Sequence, residues 1–286
     1  MTRFTAMSRL AALFLALPAI SAWGASPWLP EAGKMSITTM YVFDTFQDYR
    51  PGKIQARLVE PYKQYTGYVF VEYGLKNNIS IDVDTGYTAT NFRGNGLGGI
   101  TDTLIGARWQ AVRGESWVLT VRGAALIKGS YEISKTANFS PGDKASGGLG
   151  SILLGNSFRH GIYTFMENGF RVRQDPVPAD YFGNIGAGHS IKRFNYSSSY
   201  QTSRSINGVD IVGAAPRFSP YFQPSQFPAT KKVFGAVDFN AGYRTRSGLY
   251  FGFNYSKILH GRNVGLKDVF AVSFGFNVPG RGPHLH

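Results

Sequence analysis

The sequence contains no cysteine among its 286 residues, which excludes disulfide bonds, thiolate metal sites and cysteine nucleophiles. After its N-terminal region it has no apolar run of about 18 or more residues, the length that a membrane-spanning helix requires. Acidic residues are also few: 30 Lys and Arg stand against 17 Asp and Glu, a formal net charge of +13. No basic cluster interleaved with aromatic residues resembles a nucleic-acid-binding module. The charge favours anionic partners, such as lipopolysaccharide or anionic solutes, or a generally basic surface.

The N-terminal region has the three parts of a secretory signal peptide. Two arginines precede an apolar run from Leu10 to Ile20, and this run is too short to span a bilayer. A small-x-small cleavage site follows at residues 22–24. We therefore expect a cleaved signal peptide at residues 1–24 and a mature chain that begins at Ala25.

Alternation of apolar and polar side chains dominates the rest of the chain. Between Asn78 and Thr90, the isoleucines and valine fall on one side and the two aspartates on the other, as successive side chains of a strand do. The same period predicts twelve strands. They run Met35–Gln47, Tyr62–Leu75, Asn78–Thr90, Asp102–Val112, Ser116–Lys128, Gly148–Phe158, Gly161–Arg173, Tyr181–Ser190, Phe194–Ser205, Val233–Arg244, Leu249–Lys257 and Asp268–Val278.

The connections between these strands alternate between short turns and long loops, which is typical of outer-membrane barrels. The sequence therefore predicts an all-β fold, a transmembrane antiparallel up-and-down β-barrel of about 12 strands in the bacterial outer membrane. The barrel would occupy residues 25–278 as a single domain, followed by a short tail at residues 279–286. An even number of strands would place both chain ends in the periplasm.

The predicted strands separate a lipid-facing side from a lumen-facing side. The lipid side is apolar, as in the final strand, where Phe270, Val272 and Phe274 share a face. A charge in lipid costs about 2–4 kcal/mol at the midplane, so charged side chains are expected in the lumen. These lumen or solute-path candidates are Glu72, Asp82, Asp84, Arg108, Arg122, Lys128, Glu167, Arg171, Arg173, Asp238, Asn240 and Arg244. They could line a hydrated pore or form a packed plug of salt bridges.

The sequence gives little support for a catalytic or cofactor-binding motif. Gly94 to Gly99 match a dinucleotide fingerprint, but a predicted strand follows where a helix would have to hold the pyrophosphate. His189 and Ser190 are adjacent in a predicted strand, so they point to opposite faces and cannot pair as base and nucleophile. Asp82 and Asp84 share one face of their predicted strand, and a polar lumen on that side is enough to explain the two carboxylates. We expect no catalytic residue, no metal site and no cofactor.

The longest predicted connection, Ile206–Lys232, carries four regularly spaced prolines together with several aromatic residues. Proline at this spacing favours an extended course without strand or helix. The aromatic candidates for contact with a ligand or partner are Phe218, Tyr221, Phe222 and Phe227. Such a loop could fold into the barrel mouth, dock an exported partner protein, or lie disordered on the surface.

Several short motifs in the mature chain carry a resemblance. They are Tyr73-Gly74-Leu75 before a short turn, Gly96-Leu97-Gly98 leading to Asp102-Thr103 and to Gly106-Ala107-Arg108-Trp109, and Gly261-Arg262-Asn263 before the last strand. With these motifs the chain resembles the transporter-like "MetA-pathway of phenol degradation" family of Gram-negative outer-membrane barrels. It departs from the pattern where Gly99 to Thr101 separate the glycine motif from the acid. The resemblance implies a barrel that passes small, often hydrophobic or aromatic compounds, and it transfers no binding residue.

The leading prediction is a passive, porin-like channel or transporter for small solutes, with no enzymatic activity. One alternative is a structural or assembly barrel that docks an exported partner through Ile206–Lys232. A second alternative is a lipid-modifying outer-membrane hydrolase. Outer-membrane lipid and lipopolysaccharide are the expected surroundings, and the sequence does not indicate which solute would pass.

Overall fold

The structure, a computed structural model, describes residues 25–52, 54–92, 94–132, 141–209 and 229–278. The predicted signal peptide, the C-terminal tail and the four loop aromatics lie outside the described residues. The strands are β1 (Met35–Arg50), β2 (Ala56–Lys76), β3 (Ile79–Phe92), β4 (Asn95–Ile100), β5 (Thr103–Arg113), β6 (Trp117–Ile127), β7 (Gly147–Ser157), β8 (Ile162–Arg173), β9 (Asp180–Ile191), β10 (Phe194–Ser205), β11 (Val233–Arg244), β12 (Tyr250–Arg262), β13 (Val264–Gly265) and β14 (Asp268–Val278).

Twelve of these strands form one closed antiparallel ring within the described part of the chain. Each ring strand pairs with its neighbour in sequence, and β1 pairs with both β2 and β14. The closing seam runs from Met35 opposite Val278 to Thr45 opposite Asp268. The two remaining strands are short: β4 extends the ladder of β3, and β13 pairs with the end of β1. The predicted twelve-stranded up-and-down barrel is confirmed.

The strands differ from the predicted ones mainly at the end where the long loops lie. There β2 begins at Ala56 instead of Tyr62, and β12 continues to Arg262 instead of ending at Lys257. The glycine-rich motif before the strand predicted from Asp102 is itself part of the sheet. It forms β4, which turns back on β3 with Asn95 opposite Phe92, so ladder hydrogen bonds outweigh the freedom of its glycines.

The register places apolar side chains outside the ring and polar side chains inside it. Outward residues of β6, such as Trp117, Val121 and Ile127, are exposed on the outer surface. The inward residues between them, Thr120 and Arg122, are buried. This alternation continues around the ring, so the predicted assignment of faces matches the structure on these strands.

Among the described residues, no helix is long and apolar enough to cross a membrane.

The outer face gives a first prediction. Val121 lies near the middle of β6 and is 39% exposed on the apolar surface. In a bilayer, Val121→Arg should lower the free energy of unfolding by about 2–4 kcal/mol, because arginine would enter the hydrocarbon layer. Val121→Leu is the matched control and should change it by less than about 1 kcal/mol. Urea unfolding from liposomes measures both variants, and an equal effect of the two would show that this face does not contact lipid.

Candidate functional site

The predicted lumen residues form two separate groups of ion pairs inside the barrel. The first, which we call the inner cluster, consists of the ion-paired residues Glu72, Asp82, Asp84, Arg108 and Arg122 together with Glu167, which accepts a hydrogen bond from Ser151. Arg122 Nη2 lies 2.7 Å from Asp82 Oδ2 and 3.7 Å from Asp84 Oδ2. Arg108 pairs with Glu72 and lies 3.6 Å from Asp82 Oδ1. Strands β2, β3, β5, β6 and β8 therefore bring residues that are far apart in sequence into one charged network.

The inner cluster also holds the segment that precedes the first strand, residues 25–34, which we call the N-terminal segment. Arg108 Nη1 donates to the carbonyl oxygen of Ser26 at 2.7 Å, and Thr120 Oγ1 donates to that of Pro27 at 2.7 Å. The backbone nitrogen of Ala25 donates to Glu167 Oε2 at 3.0 Å. Glu167 is only 2% exposed, so this contact lies deep within the barrel. The N-terminal segment thus runs along the inner wall of the barrel.

Local packing keeps the N-terminal segment against this wall. The Trp28 ring meets the Tyr163 ring edge to face, with centroids 5.7 Å apart. A Cβ added at Gly155 would lie 2.8 Å from both Trp28 Cζ2 and Pro27 Cγ, so only glycine leaves room for them. Gly33 donates to the carbonyl oxygen of Gly74 at 2.7 Å, which fixes the end of the segment at β2.

Sequence reasoning did not find the N-terminal segment. Its residues show no alternating pattern, and their partners lie far along the chain. The one available signal was the pair of prolines beside Trp28, directly after the cleavage site, where neither strand nor signal peptide is expected.

The second group, the mouth cluster, lies at the end with the long loops and consists of Asp143, Arg171, Arg173, Asp180 and Lys232. Arg171 makes a bidentate pair with Asp180, with distances of 3.1 and 2.6 Å. Arg173 bridges Asp180 at 2.7 Å and Asp143 at 2.6 Å. Because Asp143 also pairs with Lys232, the described part of the β6–β7 loop that precedes β7, residues 141–146, is fastened to the barrel wall.

Two loop carboxyls near the mouth have opposite electrostatic environments. Burial alone would raise the pKa of Asp143, but Lys232 and Arg173 outweigh it and hold that pKa below its usual value. The Asp143 pairs therefore stabilise the fold above the ordinary aspartate pKa of about 3.9, and are lost as the pH falls through the lowered value. Burial raises the pKa of Asp102, despite hydrogen bonds from Gly129 and Tyr131.

The other predicted lumen residues do not join either cluster. Asp238 is buried and accepts a 3.5 Å hydrogen bond from Ser199, while Asn240 accepts one of 2.7 Å from Asn254. Arg244 Nε is buried without a hydrogen-bond partner within the described structure. Lys128 follows the end of β6 and is exposed. Four of the five lumen arginines therefore belong to the two clusters, and Arg244 stands apart from them.

Part of the inner wall is apolar. Met40, Val42 and Ala271 form a buried group across the closing seam, and Tyr68, Phe70 and Val269 pack against it. These side chains lie on β14, β1 and β2, beside the charged wall. The interior therefore offers apolar as well as charged contacts.

The structure shows no pairing of His189 with Ser190. His189 uses Nδ1 at 2.7 Å from the Tyr196 hydroxyl and Nε2 at 2.8 Å from the carbonyl oxygen of His160. Ser190 Oγ instead accepts a hydrogen bond from Asn195 on the other face of the sheet. Within the ranges that the structure describes, no group of three His, Cys, Asp or Glu residues is placed to hold a metal ion.

Comparisons with known structures identify the fold. The chain is similar to the COG4313 outer membrane channel from Pseudomonas putida F1, with a TM-score of 0.70 and 7% identity over 88% of this chain and 98% of that one. It is also similar to the translocator domain of the autotransporter NalP from Neisseria meningitidis, with a TM-score of 0.50 and 14% identity over 86% and 89%. No protein-family model and no curated protein sequence matches. The fold is that of bacterial outer-membrane β-barrels.

The mouth cluster gives a prediction that limited proteolysis can check. Asp143→Asn removes the charge that pairs with Arg173 and Lys232, so the β6–β7 loop should detach from the wall. Trypsin should then cleave the folded, detergent-solubilised protein after Lys144 about tenfold faster, since cleavage follows the population of the open loop. Asp48→Asn is the control, because its contact with Arg57 is 4.0 Å long and exposed. Equal cleavage rates in wild type and Asp143→Asn would show that these pairs do not fasten the loop.

Proposed function

We propose that this protein is a passive outer-membrane channel for small solutes. The observation that supports the proposal is the division of the ring into an apolar outer face and an inner face that carries the charged side chains of the inner and mouth clusters. Charges in such number are stable between lipid-facing walls when they pair and when the interior is hydrated. Lipid surrounds the outer face, and we propose that the outer leaflet presents lipopolysaccharide to the mouth end.

The N-terminal segment is the proposed constriction. It crosses the inner wall of β5 to β8 and is held by Arg108, Thr120 and Glu167. If the signal peptide is removed before Ala25, the Ala25 nitrogen becomes an ammonium group that faces the Glu167 carboxylate. Cleavage would then strengthen a contact that is already formed, because a charged donor makes a shorter and stronger hydrogen bond.

The wall formed by β10, two strands beyond β8, is the proposed solute path. The inward side chains of β10 are small or uncharged, unlike the arginines of β5, β6 and β8. They are Asn195, Ser197, Ser199, Gln201, Ser203 and Ser205. A wall of hydroxyl and amide groups offers hydrogen bonds to water and solutes at low steric cost. The apolar group around Met40 borders the interior beyond it, so solutes with both polar and apolar parts are compatible with this lumen.

No specific observation favours either alternative function, the hydrolase or the barrel that docks an exported partner. A hydrolase of the His–Ser type would require His189 and Ser190 to approach each other, and their hydrogen bonds go to other residues. Docking of an exported partner was assigned to loop aromatics that lie outside the described residues. The channel is therefore the function that the geometry supports best.

Conductance of the refolded protein in a planar bilayer tests the proposal. A chain that begins at Ala25 should give small, steady unitary currents. A chain that begins at Lys34 should give currents about twofold larger or more, because the N-terminal segment no longer narrows the lumen. If both chains fold, as judged by heat-modifiable migration, yet neither conducts, the channel proposal is wrong.

Ion selectivity tests the inner cluster separately. Asp84 is the most accessible carboxylate of the cluster, with about a third of its side chain exposed. Asp84→Asn should shift the reversal potential in a salt gradient toward anions, since Arg122 then loses part of its neutralisation. The control is Asp268→Asn, which removes the same charge from the rim, where Asp268 pairs with Lys257 at 2.9 Å. Identical shifts in both variants would show that the inner cluster does not control permeation.

A further inference from the structure

A group of basic side chains converges at the mouth end of β10 to β12, away from the lumen clusters. A pocket there is lined by Arg50, Arg204, Lys231, Val233, His260, Gly261 and Arg262. No carboxylate is among these lining residues. We call this group the rim pocket.

The strand register places the rim pocket on the outer surface of the barrel. Val233 lies opposite Arg204 on one side and opposite Arg262 on the other, so the three side chains stand side by side across β10, β11 and β12. Outward residues alternate along β10, from Tyr196 and Tyr200 to Arg204, and all three are exposed. Lys232 pairs with Asp143 of the mouth cluster and therefore points into the barrel. Lys231, the residue before it, points to the outside.

The rim pocket lies at the height expected for lipid headgroups. Arg204 follows Tyr200 by four residues, which is about 13 Å along the strand at about 3.3 Å per residue. Tyr200 belongs to the exposed apolar and aromatic surface that continues toward the membrane centre with Phe239 and Phe253. Its hydroxyl lies 3.0 Å from His260 Nε2, so the pocket begins directly beyond an aromatic residue. Aromatic residues mark the interface of outer-membrane barrels, and charged groups follow them into the headgroup layer.

Three cations of the rim pocket, Arg50, Arg204 and Lys231, differ from neighbouring charges in their pairing. Lys257, on the same strand as His260, pairs with Asp268 at 2.9 Å, and Lys267 pairs with Asp44 at 3.1 Å. By contrast, Arg50, Arg204 and Lys231 form no ion pair within the described residues. Arg50 Nε is moreover buried there without a hydrogen-bond partner. Adjacent like charges repel, so their convergence favours an anion from outside the chain.

We propose that the rim pocket binds a phosphate group of the lipid A part of lipopolysaccharide in the outer leaflet. Arginine forks bind phosphate oxygens in pairs, and Lys231 adds a point charge. The acyl chains of lipid A would then lie along the apolar outer surface below Tyr200. A free phosphate has no acyl chains to make these contacts. The inference rests on the proposed outer-membrane placement and is independent of whether the lumen conducts.

Binding of purified lipid A to the folded protein in detergent tests the proposal by native mass spectrometry. Wild type should retain bisphosphorylated lipid A about tenfold more tightly than dephosphorylated lipid A, because the guanidinium–phosphate contacts are charge-assisted. The double variant Arg204→Gln, Lys231→Gln should lose about that factor. A matched control is Arg57→Gln, Lys63→Gln, which removes two exposed charges from β2 at the same end of the barrel.

The outcomes separate the possible sources of phosphate. If millimolar inorganic phosphate displaces lipid A completely, the pocket binds a soluble anion and the lipid proposal is overturned. Equal loss of lipid A in the two double variants would also overturn it, because the attraction would then be unspecific. Conductance of the rim variant should equal that of wild type, so failure of this inference is distinguishable from failure of the channel proposal.

Discussion

Closure of the ring between β1 and β14 is the constraint on which the rest of the structure depends. In hydrocarbon, a backbone N–H or C=O without a partner costs several kcal/mol, so a sheet with open edges is not stable there. The pairing of Met35 to Thr45 with Val278 to Asp268 removes both edges at once. Closure then leaves each strand only two environments, lipid and lumen. The alternation of side chains follows from it, and so does the concentration of charge in the interior.

The enclosed charges impose a second condition, because buried ions are stable only when paired and hydrogen-bonded. Arg108 illustrates it: its guanidinium pairs with Glu72 and approaches Asp82, but these contacts do not use all its donors. Its Nη1 donates to the Ser26 carbonyl, so the N-terminal segment adds a further acceptor to the network. The same side chains that make the lumen polar thus anchor the segment that we propose as its constriction.

Much of the fold was predictable from sequence, because a period of two residues marks both the strands and their faces. The strands Phe194–Ser205, Val233–Arg244 and Asp268–Val278 have the same bounds in sequence and structure. Strand extensions at the mouth were missed, since pairing prolongs strands beyond the point where alternation weakens, as in β2 and β12. The clusters could not be predicted, because Asp82, Arg122 and Glu167 lie on β3, β6 and β8, and alternation alone does not give the register between strands. The position of residues 25–34 depends on the same long-range contacts.

The distribution of ion pairs also explains which charged side chains need a counter-charge from outside the chain. Inside the ring, a counter-charge from solvent or from a lipid phosphate is not guaranteed. The arginines there, at positions 108, 122, 171 and 173, each form ion pairs with carboxylates of the chain. At the outer rim, Arg50, Arg204 and Lys231 converge without one among the described residues. A folded chain tolerates such convergence where the environment provides the counter-charge, as an anionic membrane surface does. The clusters of the lumen and the unpaired cations of the rim therefore reflect two environments. Inside the ring, the carboxylates of the chain are the available counter-charges, whereas at the outer rim the proposed counter-charge is a lipid phosphate.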